Sequence, residues 1–385
     1  MNVDTWLTHV GLHPEENSGI VNPPVYHAST VLYDSLDAFE GKHSVKVSYG
    51  RNGTPTTFAL EEAFTQLEGG AGTVLVPSGL AAITTALLAF ARAGSHMLFS
   101  DSVYGPTRRV ATRFLTRLGV ETEFYDPRIG ARIAERIREN TALVFVESPG
   151  SLTFEVQDLP AISAAARKRG ATVVADNTWG AGLLYKPLAL GADVVVHAGT
   201  KYVSGHADVM AGAVISSHET LPAVRRAWQD LGQTLGPDDA YLALRGLRTL
   251  GVRLPRHQEN GLALARWLND RPEVTRVMHP ALPDDPGHEL WQRDFAGACG
   301  LFGFLMDCPN REALAAFLDA LTLFGLGDSW GGYESLLVPT WPERIRSATP
   351  WESERQSVRV HAGLEDPKDL IVDLEEGFRR MHAAS

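Results

Sequence analysis

The chain has 385 residues, 44% of them hydrophobic and 21% charged, the make-up of an ordinary globular protein with room for two packed units. A formal net charge of −11 argues against the concentrated basic surface that a nucleic-acid partner requires. The longest apolar runs, residues 143–146 and 194–196, are far too short to cross a bilayer.

The opening Met1-Asn-Val-Asp-Thr carries neither the basic segment nor the apolar stretch of a secretory signal, so a cytoplasmic protein is expected. Residues 1–50 hold Gly11, Pro14, Gly19, Pro23 and Pro24 with little periodicity, which predicts an extended arm. From Thr54 the pattern changes. Pro55 suits a first helical turn, and Leu60, Ala63, Phe64 and Leu67 recur at helical spacing. Apolar strands are then expected at 73–76, 96–99, 142–147, 172–175, 194–197 and 211–215. Helices fit between most of them, for instance from 79 to about 92 and over 158–169. Such alternation predicts an α/β fold with a doubly wound, mostly parallel sheet covered on both faces.

Residues 237–269 read as largely helical, with a break near 251–255 where Gly251 and Pro255 fall. Beyond them strands at 274–278, 301–306 and 357–361 mix with helices at 311–321 and 366–382, the order of a smaller α+β C-terminal domain. The expected division is an arm at 1–53, a sheet domain at 54–250 and a C-terminal domain at 251–385. The two cysteines, Cys299 and Cys308, match neither a zinc nor a redox spacing, and both are expected to be buried and reduced. No histidine spacing points to a metal.

In open α/β sheets ligands gather beyond the carboxyl ends of the strands, and four polar clusters fall there. Asp176 follows the buried run Thr172-Val-Val-Ala; it is either a turn residue or a charge awaiting a cation. The protonated pyridine nitrogen of pyridoxal 5′-phosphate (PLP) is such a cation. Lys201 follows a strand that reads as fully buried, within Ala198-Gly-Thr200-Lys201. A loop lysine is normally solvated, but one desolvated among small residues loses its proton near neutral pH and forms an imine. Ser78-Gly79-Leu80 stands where a strand meets a helix, either as a plain N-cap or as a phosphate site made of free amides. Tyr104, in Ser100-Asp-Ser-Val-Tyr104, either packs beside a turn or stacks on a flat cofactor and exchanges protons.

The spacing of Ser78-Gly79, Tyr104, Asp176 and Thr200-Lys201 resembles the Cys/Met-metabolism branch of fold-type I PLP-dependent enzymes, from Tyr49-Gly-Arg51 through to Ser357-Val-Arg359-Val-His361. Within that branch five stretches are most similar to the cystathionine β-lyases. They are Glu147-Ser-Pro-Gly-Ser151, Asp176-Asn-Thr-Trp179, Leu247-Arg-Thr-Leu-Gly-Val-Arg253, His279-Pro-Ala-Leu-Pro283 and Ser329-Trp-Gly-Gly-Tyr-Glu-Ser335.

The resemblance implies roles position by position. Lys201 would carry the cofactor as a Schiff base and move protons, Asp176 would pair with the pyridinium, and Tyr104 would stack on the ring. Gly79, Leu80 and Thr200 would hold the phosphate, helped by Tyr49 and Arg51 of a neighbouring subunit in a homotetramer built as a pair of dimers. Arg359 would clamp the substrate α-carboxylate, with Ser329, Trp330 and Tyr49 around the substrate. Taken alone, Arg359 also fits an outward position on an alternating strand, and Trp330 also fits core packing. Ala198 stands where many γ-acting relatives have Ser, and Trp330 where they usually have a smaller aliphatic residue. Both departures favour β-chemistry. The implied reaction is α,β-elimination on L-cystathionine or a related cysteine S-conjugate, giving homocysteine (or another thiol), pyruvate and ammonia in transsulfuration and methionine biosynthesis. A sibling γ-lyase, γ-synthase or sulfhydrylase is the nearer alternative, and a regulatory protein on the same fold the remoter one.

Overall fold

The computed structural model describes residues 1–351 and 353–384. Helix α1 (Val3–His9) precedes a long, mostly irregular stretch that holds the short α2 (Leu36–Phe39) and two 3-10 turns, Pro14–Glu16 and Gly50–Asn52. Helix α3 (Pro55–Glu68) opens the first layered unit, with Pro55 at its start and a reciprocal capping box between Thr54 and Thr57. There follow β1 (Gly72–Val76), α4 (Gly79–Phe90), β2 (His96–Ser100), α5 (Gly105–Arg109), β3 (Glu121–Tyr125), β4 (Thr141–Glu147), α6 (Leu159–Arg167), β5 (Thr172–Asp176), β6 (Val194–Ala198) and β7 (Gly212–Ser216). Helices α7 (Leu221–Leu231), α8 (Pro237–Leu247) and α9 (Leu250–Asn269) lead to β8 (Val274–Met278), α10 (His288–Asp294), β9 (Leu301–Met306), α11 (Arg311–Asp319), β10 (Leu336–Thr340), β11 (Gln356–His361) and α12 (Pro367–Ala383).

The first seven strands form one sheet in the order β1-β7-β6-β5-β4-β2-β3. Only β7 runs against its neighbours; the other pairings are parallel. Both faces are covered, and the alternation along each strand divides two cores. Val173, Ala175, Val195 and Ile215 join the side packed by Leu60, Phe64 and Leu67 of α3. Val174, Val196 and Val214 join the opposite side with Ala82, Ile83 and Leu87 of α4 and Val224 of α7. The remaining strands form a second, antiparallel sheet in the order β10-β11-β9-β8, whose core is shared with α9, α11 and α12. The doubly wound sheet and the smaller α+β unit thus stand as the sequence implies. Among the described residues no helix is long and apolar enough to cross a membrane.

Three expectations are corrected. Residues 3–10 are not part of an extended arm: Leu7 and Val10 are buried, Trp6 donates its indole N–H to Gln66 at 2.7 Å, and Arg248 holds the Leu7 carbonyl at 2.8 Å. The helical break lies at residues 248–249, and α9 continues through Pro255. Burial of Leu250 and Leu254, together with the Arg253 bonds to the carbonyls of Val203 and Gly246, holds its first turns in place. Of the two thiols only Cys299 is buried; Cys308 is half-buried and bonds the Asn310 carbonyl. Two strands went unforeseen, β3 and β10, and both lie at sheet edges. An edge position is where charged residues such as Glu121 and Glu123, and a Pro339 without an N–H, are tolerated.

Candidate active site

The carboxyl ends of β4, β5 and β6 lie side by side, with Glu147 paired to Asp176 and Asp176 paired to Val196 in register. Asp176 is buried. Its Oδ1 accepts the Thr178 amide at 2.9 Å and the Thr178 hydroxyl at 2.5 Å. This is the turn a strand-terminal Asp makes with the residue two ahead, and it fixes the carboxyl while Oδ2 is left for a further partner. Burial raises the pKa of Asp176 above the ordinary carboxylate value, opposed by the Thr178 donors, His197 and Lys201.

Lys201 stands in the turn after β6, and its Nζ donates to Ser329 Oγ at 2.6 Å and lies 5.2 Å from the Trp330 ring centroid. Burial, then the Arg359 charge, lowers the amine to about 8, against the pull of Asp328 and Asp176. Such an amine is in part unprotonated near neutral pH, which makes it both a nucleophile and a base. The facing loop is shaped to it. Ser329 and Gly331 both have φ of +87°, and a Cβ on Gly331 would approach the Tyr202 amide nitrogen to 2.8 Å. Two residues of β11 hold this loop: Arg359 donates to the Ser329 carbonyl at 3.1 Å, and His361 Nε2 accepts the Gly331 amide at 3.1 Å. Arg359 therefore faces the cleft and not the solvent. Trp330 serves both readings at once, packing on Tyr202 at 5.4 Å between ring centroids while facing the amine.

At the start of α4 Ser78 is indeed an N-cap, accepting the Ala81 amide at 3.1 Å. The amides of Gly79 and Leu80 have no carbonyl one turn back, so they remain for a ligand. Gly79 abuts the end of β6, where a Cβ would meet that of Ala198 at 2.5 Å. The Thr200 hydroxyl donates to the Ala211 carbonyl and accepts its amide, at 3.2 and 3.0 Å, so a phosphate would share it with that pairing. Tyr104 is 45% exposed, and its amide donates to Glu147 Oε2 at 2.7 Å. Burial raises its phenol above the ordinary value, with Glu147 adding to the effect.

Tyr49 and Arg51 stand apart. Tyr49 precedes the short turn Gly50–Asn52 and Arg51 lies within it, with the guanidinium 5.8 Å from the Tyr49 ring centroid, and both line a cavity of about 440 Å³ with Tyr26, His27 and Thr54. Among the described residues no hydrogen bond, ion pair or ring contact joins either to Lys201, Asp176 or Tyr104. Sequence reasoning assigned no task to Thr178 or Glu147. Thr178 was legible from its place two residues after a strand-terminal Asp, and Glu147 from being a second acid at a buried strand end. Among the described residues no group of three or more His, Cys, Asp or Glu side chains could hold a metal ion.

The donor set fits PLP. Free helix-start amides suit a phosphate, a buried carboxyl with one oxygen unengaged suits a pyridinium, and a desolvated amine at about 8 suits covalent attachment of an aldehyde. Fold and site together define a PLP-dependent enzyme of the fold-type I class. The model of the family described as Cys/Met metabolism PLP-dependent enzyme matches residues 4–379, and the chain belongs to that family. A chain from Rhizobium johnstonii is 51% identical over 98% of this chain and 96% of its own length. The cystathionine β-lyase of Escherichia coli K12 is 44% identical over 98% of both chains. A solved cystathionine γ-synthase of Xanthomonas oryzae, in complex with aminoacrylate and cysteine, superposes with a TM-score of 0.93 over 100% of both chains at 32% identity.

Proposed function

We propose that this protein is a carbon–sulfur lyase that cleaves L-cystathionine, or a related cysteine S-conjugate, by α,β-elimination to homocysteine (or the corresponding thiol), pyruvate and ammonia. The observation that carries the reading is the Lys201 amine, held at 2.6 Å from Ser329 and 5.2 Å from the Trp330 ring. The 44% identity to a cystathionine β-lyase over 98% of both chains, against 32% to a γ-synthase over 100% of both, favours β over γ chemistry.

When bound, the cofactor supplies an electron sink for the charge that develops on the substrate α-carbon. Lys201 would hold it through Nζ, and the same amine, in part unprotonated near neutral pH, would take the substrate α-proton. Asp176 would hold the proton on the pyridine nitrogen with the oxygen that Thr178 leaves unengaged. Tyr104 would lie against its ring, and the Gly79 and Leu80 amides with Thr200 would bind its phosphate. Arg359 pairs with the substrate α-carboxylate, while Ser329 and Trp330 bound the space beside the leaving sulfur. Tyr49 and Arg51 complete the phosphate and substrate contacts of a neighbouring subunit in a cytoplasmic homotetramer. Exposed Ile20, Val21, Leu32, Leu36 and Phe39, with Leu32 at 89%, support subunit contact along residues 20–53. We assign residues 1–53 as the arm, 54–250 as the cofactor domain and 251–385 as the C-terminal domain, with the first ten residues folded back on the cofactor domain.

The deciding experiment incubates purified protein and PLP with L-cystathionine and identifies the keto acid. Pyruvate with homocysteine is expected. 2-Oxobutyrate would make it a γ-acting sibling, and bound PLP without turnover of any S-conjugate would overturn the enzymatic reading.

A further inference from the structure

We propose that Glu147 is a positioning residue of the cofactor site: held as a neutral carboxyl, it fixes the backbone of Tyr104 and leaves the charge of the strand-end pair on Asp176. The inference rests on the PLP reading of the cleft and is independent of which S-conjugate is cleaved.

Glu147 ends β4 as Asp176 ends β5, and the two are Cα partners in a parallel pair. Partners on adjacent strands project to the same face about 4.8 Å apart, so the two carboxyls are neighbours. Their surroundings differ. Asp176 has the two Thr178 donors and the nearby charges of His197 and Lys201. Glu147 has one side-chain bond, from the Tyr104 amide at 2.7 Å, and among the described residues no ion pair reaches it. Two carboxyls so placed do not both ionise, and the one with fewer donors and no cation keeps the proton. Burial and the Asp176 charge act on Glu147 in that direction.

The bond to Tyr104 has a structural use. Tyr104 is the first residue before α5: its carbonyl accepts the Arg108 amide at 3.1 Å, but its own amide has no partner in that helix and is held by Glu147. Glu147 itself is held from behind, since Gln157 Nε2 donates to its carbonyl at 2.6 Å and the Tyr125 hydroxyl to Gln157 Oε1 at 3.0 Å. Strand β4 thus reaches across to the segment after β2 and fixes the residue whose ring meets the cofactor.

The test titrates the cofactor-free protein with PLP, following visible absorbance and induced circular dichroism, for wild type, Glu147→Gln, Glu147→Ala, Tyr104→Ala and the Tyr104→Ala/Glu147→Ala double variant. Gln keeps the acceptor for the Tyr104 amide and mimics the neutral acid, so its PLP dissociation constant should stay within about 3-fold of wild type. Glu147→Ala should weaken PLP on the order of 10-fold and reduce the dichroism, yet add under about 2-fold in the Tyr104→Ala background. Infrared spectra of the holoenzyme at neutral pH should contain a protonated-carboxyl stretch that Glu147→Gln removes. The proposal is overturned if Gln is as damaging as Ala, if the Ala penalty is undiminished without Tyr104, or if no such stretch is lost. Should Glu147→Ala fail to fold, Glu147→Gln and the infrared band decide alone. A wild type that binds no PLP would instead defeat the cofactor reading itself.

Discussion

Lys201 and Ser329 are 128 positions apart in the chain, yet Nζ and Oγ meet at 2.6 Å. One stands in the turn after β6 of the large sheet, the other in the loop ahead of β10 of the small one. The amine is thereby enclosed between residues carried by the two sheets, which is why it is desolvated although it lies in a turn. Ser329 is held with φ at +87°, a conformation side chains rarely adopt, and Arg359 and His361 keep it there from a single strand.

That enclosure has a measurable pH signature. An exposed lysine titrates near 10.4, whereas burial brings Lys201 to about 8. Below the folded value both states bind the proton, and the fold bears the full cost of a buried cation. From about pH 8 to about pH 10 the unfolded chain still binds a proton that the folded chain has released, so stability rises with pH. The cofactor-free protein should therefore gain on the order of 3 kcal/mol from this group across that window. Lys201→Met should remove the gain. Urea denaturation of both proteins at several pH values checks it, and equal pH slopes would show that the amine is not desolvated.

What could be read in advance, and what could not, follows from where each signal resides. Val194-Val-Val196 and Val173-Val174 announce buried strands because apolar β-branched runs have few other uses, and polar residues directly after them mark the ligand end of the sheet. The outer strands β3 and β10 carry charges or proline that an edge accepts and a centre rejects, so local composition speaks against them. Helix α1 is short, and its burial of Leu7 depends on Gln66 and Arg248, far off in sequence. The same holds for the loop of Ser329, whose anchors Arg359 and His361 lie about thirty residues on. Only tertiary pairing makes those residues a unit.

Asp176 should matter far more to rate than to fold. Its Oδ1 is engaged by Thr178, and an Asn side chain can keep those two bonds while losing the charge. Asp176→Asn is expected to lose several kcal/mol of transition-state stabilisation, on the scale of preorganised electrostatic groups, with circular dichroism and thermal midpoint near wild type. Steady-state kcat/KM measures the loss. A near-wild-type value would leave Asp176 a turn residue only.

Asp101 joins the two units elsewhere. Fully buried after β2, it accepts the amides of Ser347, Ala348 and Thr349, the hydroxyls of Ser347 and Thr349, and the Arg108 guanidinium. Burial alone would raise its carboxyl, but the Thr349 and Ser347 amides and Arg108 outweigh it and hold the value below normal. A depressed carboxyl contributes stability that is present above the ordinary Asp value and lost as pH falls through the folded one. Asp101→Ala should strand several donors and cost about 2–4 kcal/mol in urea unfolding. Proteolysis near residues 345–350 should accelerate. An unchanged midpoint would mean that the loop is held by Arg346 and Glu155 instead.

The last prediction concerns the sharing of sites between subunits. Within one chain Tyr49 and Arg51 line their own cavity and make no bond to Lys201 or Asp176, yet they follow a stretch whose Ile20, Leu32, Leu36 and Phe39 are exposed. A partner surface would cover apolar side chains exposed in that density. In a closed two-fold dimer the exchange would be reciprocal, each chain lending its Arg51 to the other's Lys201. Lys201→Ala and Arg51→Ala proteins are each expected to be nearly inactive alone. When they are co-expressed, a mixed dimer contains one site with wild-type Lys201 from one chain and wild-type Arg51 from the other, and a second site with both lost. Random mixing makes half the dimers mixed and restores one of their two sites, so about a quarter of wild-type activity should return. Differently tagged chains allow the mixed dimers to be purified and their activity per dimer read directly, at about half of wild type. If such dimers regain nothing, Arg51 serves the lysine of its own chain, and the arm joins subunits without entering their chemistry.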